Sequence, residues 1–100
     1  MDTPPNLEAV RQAVSSVIDA WDLYGFIKNG APSNEYDIES YAIAYRIGDM
    51  RSASDAARVV SAVFSEKLGL DIPPEDAAQI GEQLFAKLRE ADLLEAPSTL

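Results

Sequence analysis

The sequence predicts a compact all-α domain of four helices, with a long packed loop between helices one and two. Apolar residues recur at spacings of three and four positions in four segments. Residues typical of helix ends separate these segments, and no stretch alternates polar and apolar residues as a strand would. At 100 residues, 47% of them hydrophobic, the chain suits one globular domain. We therefore expect a single domain over residues 1–100, with an ordered core at about 4–94 and short tails.

The first helix is predicted to run from about residue 4 to residue 21. Thr3 can cap it, and Pro4 suits the first helical position because its missing N–H would have no partner there. One stripe of the helix carries the apolar side chains of Leu7, Val10, Val14, Val17, Ile18 and Trp21.

A long loop is predicted over residues 22–33, where the helical pattern breaks. Gly25, Gly30 and Pro32 interrupt this segment. Its apolar residues indicate that it packs over an edge of the core.

The second helix is predicted to follow Ser33 or Asn34 as its cap and to end before Gly48. It has two apolar stripes, one on each side, so we expect it to lie centrally in the domain. The stripes consist of Ile38, Tyr41, Ala42 and Tyr45, and of Tyr36, Ile43 and Ile47.

The third helix is predicted to begin at a variant capping box, Ser52 to Asp55, and to stop at Gly69 in a left-handed conformation. Its expected buried residues are Ala56, Val59, Val60, Val63, Phe64 and Leu68.

The fourth helix is predicted to start near Pro73 and Pro74 and to reach Asp92 or Leu94. Its apolar stripe consists of Ala77, Ile80, Leu84, Leu88 and Ala91.

The composition excludes most classes of enzyme. The chain has no Cys and no His, which excludes disulfide scaffolds, zinc fingers, iron–sulfur clusters and nucleophiles built on cysteine or on a serine–histidine pair. We expect a protein that is not an enzyme and that needs no cofactor and no metal.

The charge favours a basic protein as partner. With 17 acidic against 8 basic residues the net charge is −9, which disfavours binding to nucleic acid or to an anionic membrane. Arg46, Arg51 and Arg58 are the nearest approach to a basic face, and we expect them to pair with Asp49 and Asp55 instead. The amino terminus lacks a secretory signal, and no apolar run approaches the ~20 residues of a membrane helix, so we expect a cytoplasmic protein.

Acidic residues concentrate in two runs, of which the first also holds aromatic residues. Residues 19–39 carry five carboxylates against Lys28 alone, and residues 71–82 carry four with no base. The helix dipole accounts for the acids at the start of helix four. In the first run, aromatic side chains of the loop can anchor an interface, whereas Trp21 follows the core stripe. The candidate partner-binding residues are Asp22, Tyr24, Phe26, Glu35, Asp37 and Glu39.

Other interpretations of this region remain open. Glu35 and Glu39 are one helical turn apart and could bridge Mg²⁺ in a metal-dependent hydrolase. A helical homodimer with a scaffolding role is a further alternative. Asp22 could also brace the loop, with Tyr36 locking it onto helix two, in which case the motif is architectural.

The segment Trp21-Asp22-Leu23-Tyr24-Gly25-Phe26, then Ala31-Pro32 and Glu35-Tyr36-Asp37, resembles a family of small bacterial helical proteins. The signature of that family is Trp-Asp-Pro-x-Gly, a short loop, Ala-Pro and Glu-Tyr-Asp. The resemblance covers about residues 10–70 and departs at Leu23, where the family has proline. Such proteins are similar to immunity proteins encoded beside contact-dependent growth inhibition systems and other polymorphic toxins. The resemblance implies a cytoplasmic immunity protein that neutralises a basic toxin, and we expect a nuclease because nucleases grip phosphates in positive clefts.

Overall fold

A computed structural model describes residues 6–22, 30 and 36–94. These residues form four α-helices and one short 3₁₀ turn, and none of them lies in a strand, so the all-α prediction is confirmed. The helices are α1 (Leu7–Trp21), α2 (Asp37–Tyr45), α3 (Ala53–Leu68) and α4 (Pro74–Glu90), with the 3₁₀ turn at Ile47–Asp49. The predicted loop between α1 and α2 and the predicted tails lie largely outside the described residues. No helix within the described ranges is long and apolar enough to cross a membrane.

The four helices surround one hydrophobic core. Each helix packs on the next along the chain, and α4 packs back on α1, with the most extensive packing between α3 and α4. Every helix contributes buried apolar side chains to a single cluster. The radius of gyration, 13.0 Å, is close to the ~13 Å expected for a folded domain of this length.

Helix α1 begins later than predicted. Its first residue is Leu7, preceded by Asn6 in the left-handed conformation with φ 59°. The predicted cap residues Thr3 and Pro4 lie outside the described residues. The predicted stripe faces the core, with Trp21 half-buried at its end, where the Trp21 and Phe64 rings meet edge to face with centroids 5.8 Å apart.

Helix α2 lies at the periphery, so the expectation of a central helix was wrong. Tyr36, Ile43 and Ala44 face the core, while Ile38, Tyr41 and Tyr45 are exposed. Within the described residues this short helix packs mainly against α1 and α3, and the side that carries Ile38, Tyr41 and Tyr45 stays exposed. The predicted caps Ser33 and Asn34 lie outside the described residues, and the first residue of the helix is Asp37.

Helix α3 confirms its predicted ends. The Ser52 side chain accepts a hydrogen bond from the Asp55 backbone N–H at 3.1 Å, and the Asp55 carboxylate accepts one from the Arg51 backbone N–H at 3.1 Å. Gly69 ends the helix at φ 65°, a conformation that glycine adopts without a steric penalty. Leu68 is exposed, which corrects the prediction that it is buried.

Helix α4 starts with Pro74 at its first turn and ends at Glu90. Ala91 therefore lies beyond the helix and is exposed, contrary to the predicted stripe. Gly81 is buried where α4 approaches α3 closely: a Cβ atom there would lie 2.7 Å from the Ala53 carbonyl oxygen and 2.8 Å from the Ala57 nitrogen. The sequence pattern gave no indication of this contact.

Candidate partner-binding site

The C-terminal end of α1 is joined to the start of α2 by a side-chain hydrogen bond. Asp22 adopts the left-handed conformation, φ 39°, and its backbone N–H donates to the Ile18 carbonyl at 2.9 Å. The Tyr36 hydroxyl donates to Asp22 Oδ1 at 2.6 Å. The Tyr36 ring is buried and stacks on Phe64 with centroids 6.1 Å apart. Asp22 is thereby held against the core through Tyr36, while the loop that the architectural interpretation concerns lies largely outside the described residues.

Three carboxylates gather around this hydrogen bond. Burial raises the pKa of the Asp19 carboxyl above its ordinary value, and the negative charges of Asp37 and Asp22 raise it further. The more distant Arg11 offsets only part of this effect. Burial and the two neighbouring charges together therefore disfavour ionisation of Asp19.

The remaining candidate residues are placed differently from one another. Asp37 is half-buried at the first position of α2. Glu39 is buried, with 4% exposure, so its carboxylate is enclosed by the fold and is not offered at the surface. Tyr24, Phe26 and Glu35 lie outside the described residues. Of the six candidates, Asp22 and Asp37 are thus the two that are half-buried and close enough to Asp19 for their charges to affect it.

An apolar face on α2 was not among the predicted site residues. Ile38, Tyr41 and Tyr45 are 67%, 40% and 47% exposed and follow one another at helical spacing. We define these three residues as the α2 outer face. The available signal was the presence of two apolar stripes on one short helix, because only one of them can face the core.

The α2 outer face is tied to α1 through Tyr41. The Arg11 guanidinium lies over the Tyr41 ring, 5.2 Å from its centroid, and the Tyr41 hydroxyl donates to Glu8 Oε1 at 3.4 Å. Arg11 in turn pairs with Glu8 at 2.7 Å. This pairing lowers the pKa of Glu8 and raises that of Arg11, so both side chains stay charged at neutral pH.

A cleft of about 810 Å³ opens between the amino-terminal halves of α3 and α4. Its arginines have carboxylate partners: Arg46 lies 3.8 Å from both Asp49 and Glu66, and Arg58 pairs with Asp55. The prediction that these arginines pair with nearby acids is confirmed for both. Because these positive charges are compensated locally, the cleft offers no cationic face.

No group of three or more Asp or Glu side chains among residues 6–22, 30 and 36–94 is arranged to hold a metal ion. Of the predicted pair, Glu39 lies within these ranges and Glu35 does not. Buried Glu39 is the member that the structure describes.

The fold and the site define a small acidic helical domain with an exposed apolar face. Comparison with known proteins finds no matching family model, no similar curated protein and no similar solved structure. The resemblance to immunity proteins, based on the residues around Trp21, stays a prediction.

Proposed function

We propose that this protein is a cytoplasmic immunity protein that binds and neutralises a basic bacterial toxin, with a nuclease as the expected toxin. Complex formation occurs through the negative region around Asp19, Asp22 and Asp37. This region would cover the positive substrate-binding cleft of the nuclease, because the cationic side chains that bind phosphates there also attract carboxylates.

The observation that carries this proposal is the placement of negative charge at an unfavourable position. Asp19 and Asp22 lie at the C-terminal end of α1, which has no basic residue in its last turn. Anionic side chains are disfavoured at this end of a helix, since the carbonyl groups already make it negative. Burial is the largest cause of the raised pKa of Asp19, and the charges of Asp37 and Asp22 raise it further. A cationic partner would relieve this repulsion, so the free energy lost in folding is regained on binding.

The basic residues that the structure describes compensate this region only in part. Arg46 and Arg58 pair with carboxylates elsewhere on the surface, whereas Arg11 pairs with Glu8 and also offsets part of the charge around Asp19. An approaching cation therefore meets an excess of negative charge. Such an excess accelerates association with a protein of opposite charge and makes the affinity depend on salt.

The test is a capture experiment in which a lysate of the producing organism is passed over the immobilised protein. Captured proteins are eluted by raising the salt concentration and identified by mass spectrometry. The expected result is a basic toxin domain that leaves at high salt and that loses its toxic activity when mixed with this protein. Failure to recover a basic protein with well-folded bait contradicts the proposal.

Two double variants with the same change in net charge provide the matched comparison. Asp19→Asn with Asp37→Asn removes two charges from the proposed site, whereas Asp71→Asn with Glu75→Gln removes two exposed charges from the second acidic run. We expect the first variant to weaken capture and to reduce its salt dependence, and the second to leave both nearly unchanged. Equal losses in the two variants would show that only overall charge matters.

A further inference from the structure

We propose that the α2 outer face, Ile38, Tyr41 and Tyr45, is the apolar anchor surface of the interface and receives a segment of a basic protein that alternates apolar and cationic side chains. This inference rests on the proposed function for the basic character of the partner. It adds a location and a mode of binding that the acidic residues alone do not provide.

The packing of the described residues leaves three large apolar side chains exposed on one face. Ile38, at 67% exposure, leaves most of its surface in water, and the two tyrosines lie three and seven positions further on. Together they form one continuous patch along α2. Contiguous exposed apolar patches of this kind mark interaction sites in folded proteins.

The centre of the patch is already ordered. Tyr41 is held between the Arg11 guanidinium, 5.2 Å from the ring centroid, and Glu8, 3.4 Å from its hydroxyl. An aromatic ring fixed in this way loses little conformational freedom when a partner packs on it. Tyrosine is also enriched among the residues that dominate binding energy.

The charges beside the patch select a basic partner. Asp37 precedes Tyr41 by four residues on the same face of α2, and exposed Glu8 lies against Tyr41 from α1. Among the described cations, Arg11 lies over the Tyr41 ring and is paired with Glu8 at 2.7 Å, so the charge of Glu8 is already compensated. A cationic side chain of the partner would therefore meet Asp37 while its apolar neighbours cover the patch.

A second copy of this chain fits the surface less well. A two-fold contact through α2 would bring Asp37 and Glu8 of each copy close to those of the other, in a protein of net charge −9. Obligate dimers also bury about 2,000 Å² or more, mostly apolar, which three side chains on a nine-residue helix do not supply. The charge therefore favours a basic partner.

The test uses synthetic peptides and the isotope-labelled full-length protein. One peptide alternates Arg with Leu and Trp, a second has Glu in place of every Arg, and a third has Ser in place of Leu and Trp. Backbone amide shifts are followed by NMR during titration. We expect the first peptide to shift the amides of residues 38–45 and to bind at least about tenfold more tightly than the other two.

Variants separate this inference from a general charge effect. Ile38→Ser with Tyr45→Ser should weaken binding of the first peptide at least about tenfold, the loss typical of an anchor residue. Leu68→Ser, which removes an exposed apolar side chain from α3, is the matched control and should leave binding unchanged. Thermal unfolding shows whether each variant remains folded.

Three results would overturn the inference: shifts confined to the cleft between α3 and α4, equal binding by the Ile38→Ser/Tyr45→Ser variant, or concentration-dependent dimerisation of the free protein that this variant abolishes. Failure of the proposed function is a different result. If a captured basic protein depends on salt but not on Ile38 and Tyr45, the proposed function stands and this placement of the anchor is wrong.

Discussion

The hydrogen bond between Tyr36 and Asp22 predicts a measurable loss of stability when the Tyr36 hydroxyl is removed. Tyr36→Phe keeps the buried ring and its stacking on Phe64, so no cavity forms. It deletes a 2.6 Å hydrogen bond to a carboxylate. Hydrogen bonds to charged groups contribute about 1.5–3 kcal/mol. Because Asp22 is half-buried and its carboxylate can regain water, we expect a loss near the lower limit, about 1–2 kcal/mol.

A double-mutant cycle with Asp22→Ala isolates this interaction. Alanine at position 22 also bears the cost of the left-handed conformation, φ 39°, but that cost is present with either residue at position 36 and cancels in the cycle. Urea unfolding of the four proteins should give a coupling free energy of about 1–2 kcal/mol at an unchanged slope with denaturant.

A coupling below about 0.5 kcal/mol, the usual limit of additivity, would refute the reasoning. In that case the Tyr36 hydroxyl would not hold the end of α1, and the motif around Trp21 would need another explanation. The cycle also bears on function. If Asp22→Ala weakens partner binding without lowering stability, Asp22 is a contact residue and its role is not structural.

Two further predictions concern packing and charge. Gly81→Ala places a Cβ atom against the backbone of α3. Overpacking destabilises by about 1–3 kcal/mol and the better helix propensity of alanine stabilises by about 1 kcal/mol, so urea unfolding should show a net loss of about 1 kcal/mol. A gain in stability would contradict the close approach of the two helices. Asp19→Asn should stabilise the protein at neutral pH, because a raised carboxyl pKa means that the folded state loses stability as pH rises from the ordinary value of 3.8 through the raised one. The stability difference between Asp19→Asn and the natural protein should therefore shrink below that range, and a difference independent of pH would exclude the charge as its cause.

Both ends of α3 and the start of α4 could be predicted from the sequence because they depend on local chemistry. Ser52 caps because its hydroxyl reaches a backbone N–H three residues away, and Gly69 stops the helix because the left-handed conformation suits glycine. Pro74 begins a helix for a similarly local reason. These residues act within one turn, so the sequence contains everything that determines them.

Burial could be predicted less well because it depends on neighbours in space. Leu68 fits the stripe of α3 by spacing, but it lies at the last turn, where no other helix covers it. The sequence could not show which of the two apolar stripes of α2 faces the core. The stripe that packs against α1 and α3 leaves Tyr41 and Tyr45 exposed on the other. Gly81 gave no signal at all, since its role is set by the distance between two helix backbones.

The candidate site shows the same difference between local chemistry, which can be predicted from the sequence, and tertiary packing, which cannot. The motif predicted that Tyr36 holds the loop onto helix two, and that loop lies largely outside the described residues, whereas the hydrogen bond from the Tyr36 hydroxyl to Asp22 was not predicted. The burial of Glu39 could not be predicted, because helical spacing alone places it one turn from Glu35 without showing which elements cover it. Charge patterning predicted the region, whereas tertiary packing decides that Glu39 is buried and that Asp22 and Asp37 are half-buried.

The two acidic runs differ in how their charges relate to the helices that carry them. Glu75 and Asp76 lie in the first turn of α4, where the helix dipole stabilises anions, so they need no further explanation. Asp19 and Asp22 lie at the opposite end of α1, where the dipole repels them and where Asp19 has a raised pKa. A cationic side chain at position 19 would interact favourably with this end of the helix. Residues that oppose the stability of their own helix are expected at functional sites, so the first run, beside the exposed tyrosines of α2, is the surface on which a partner should be sought.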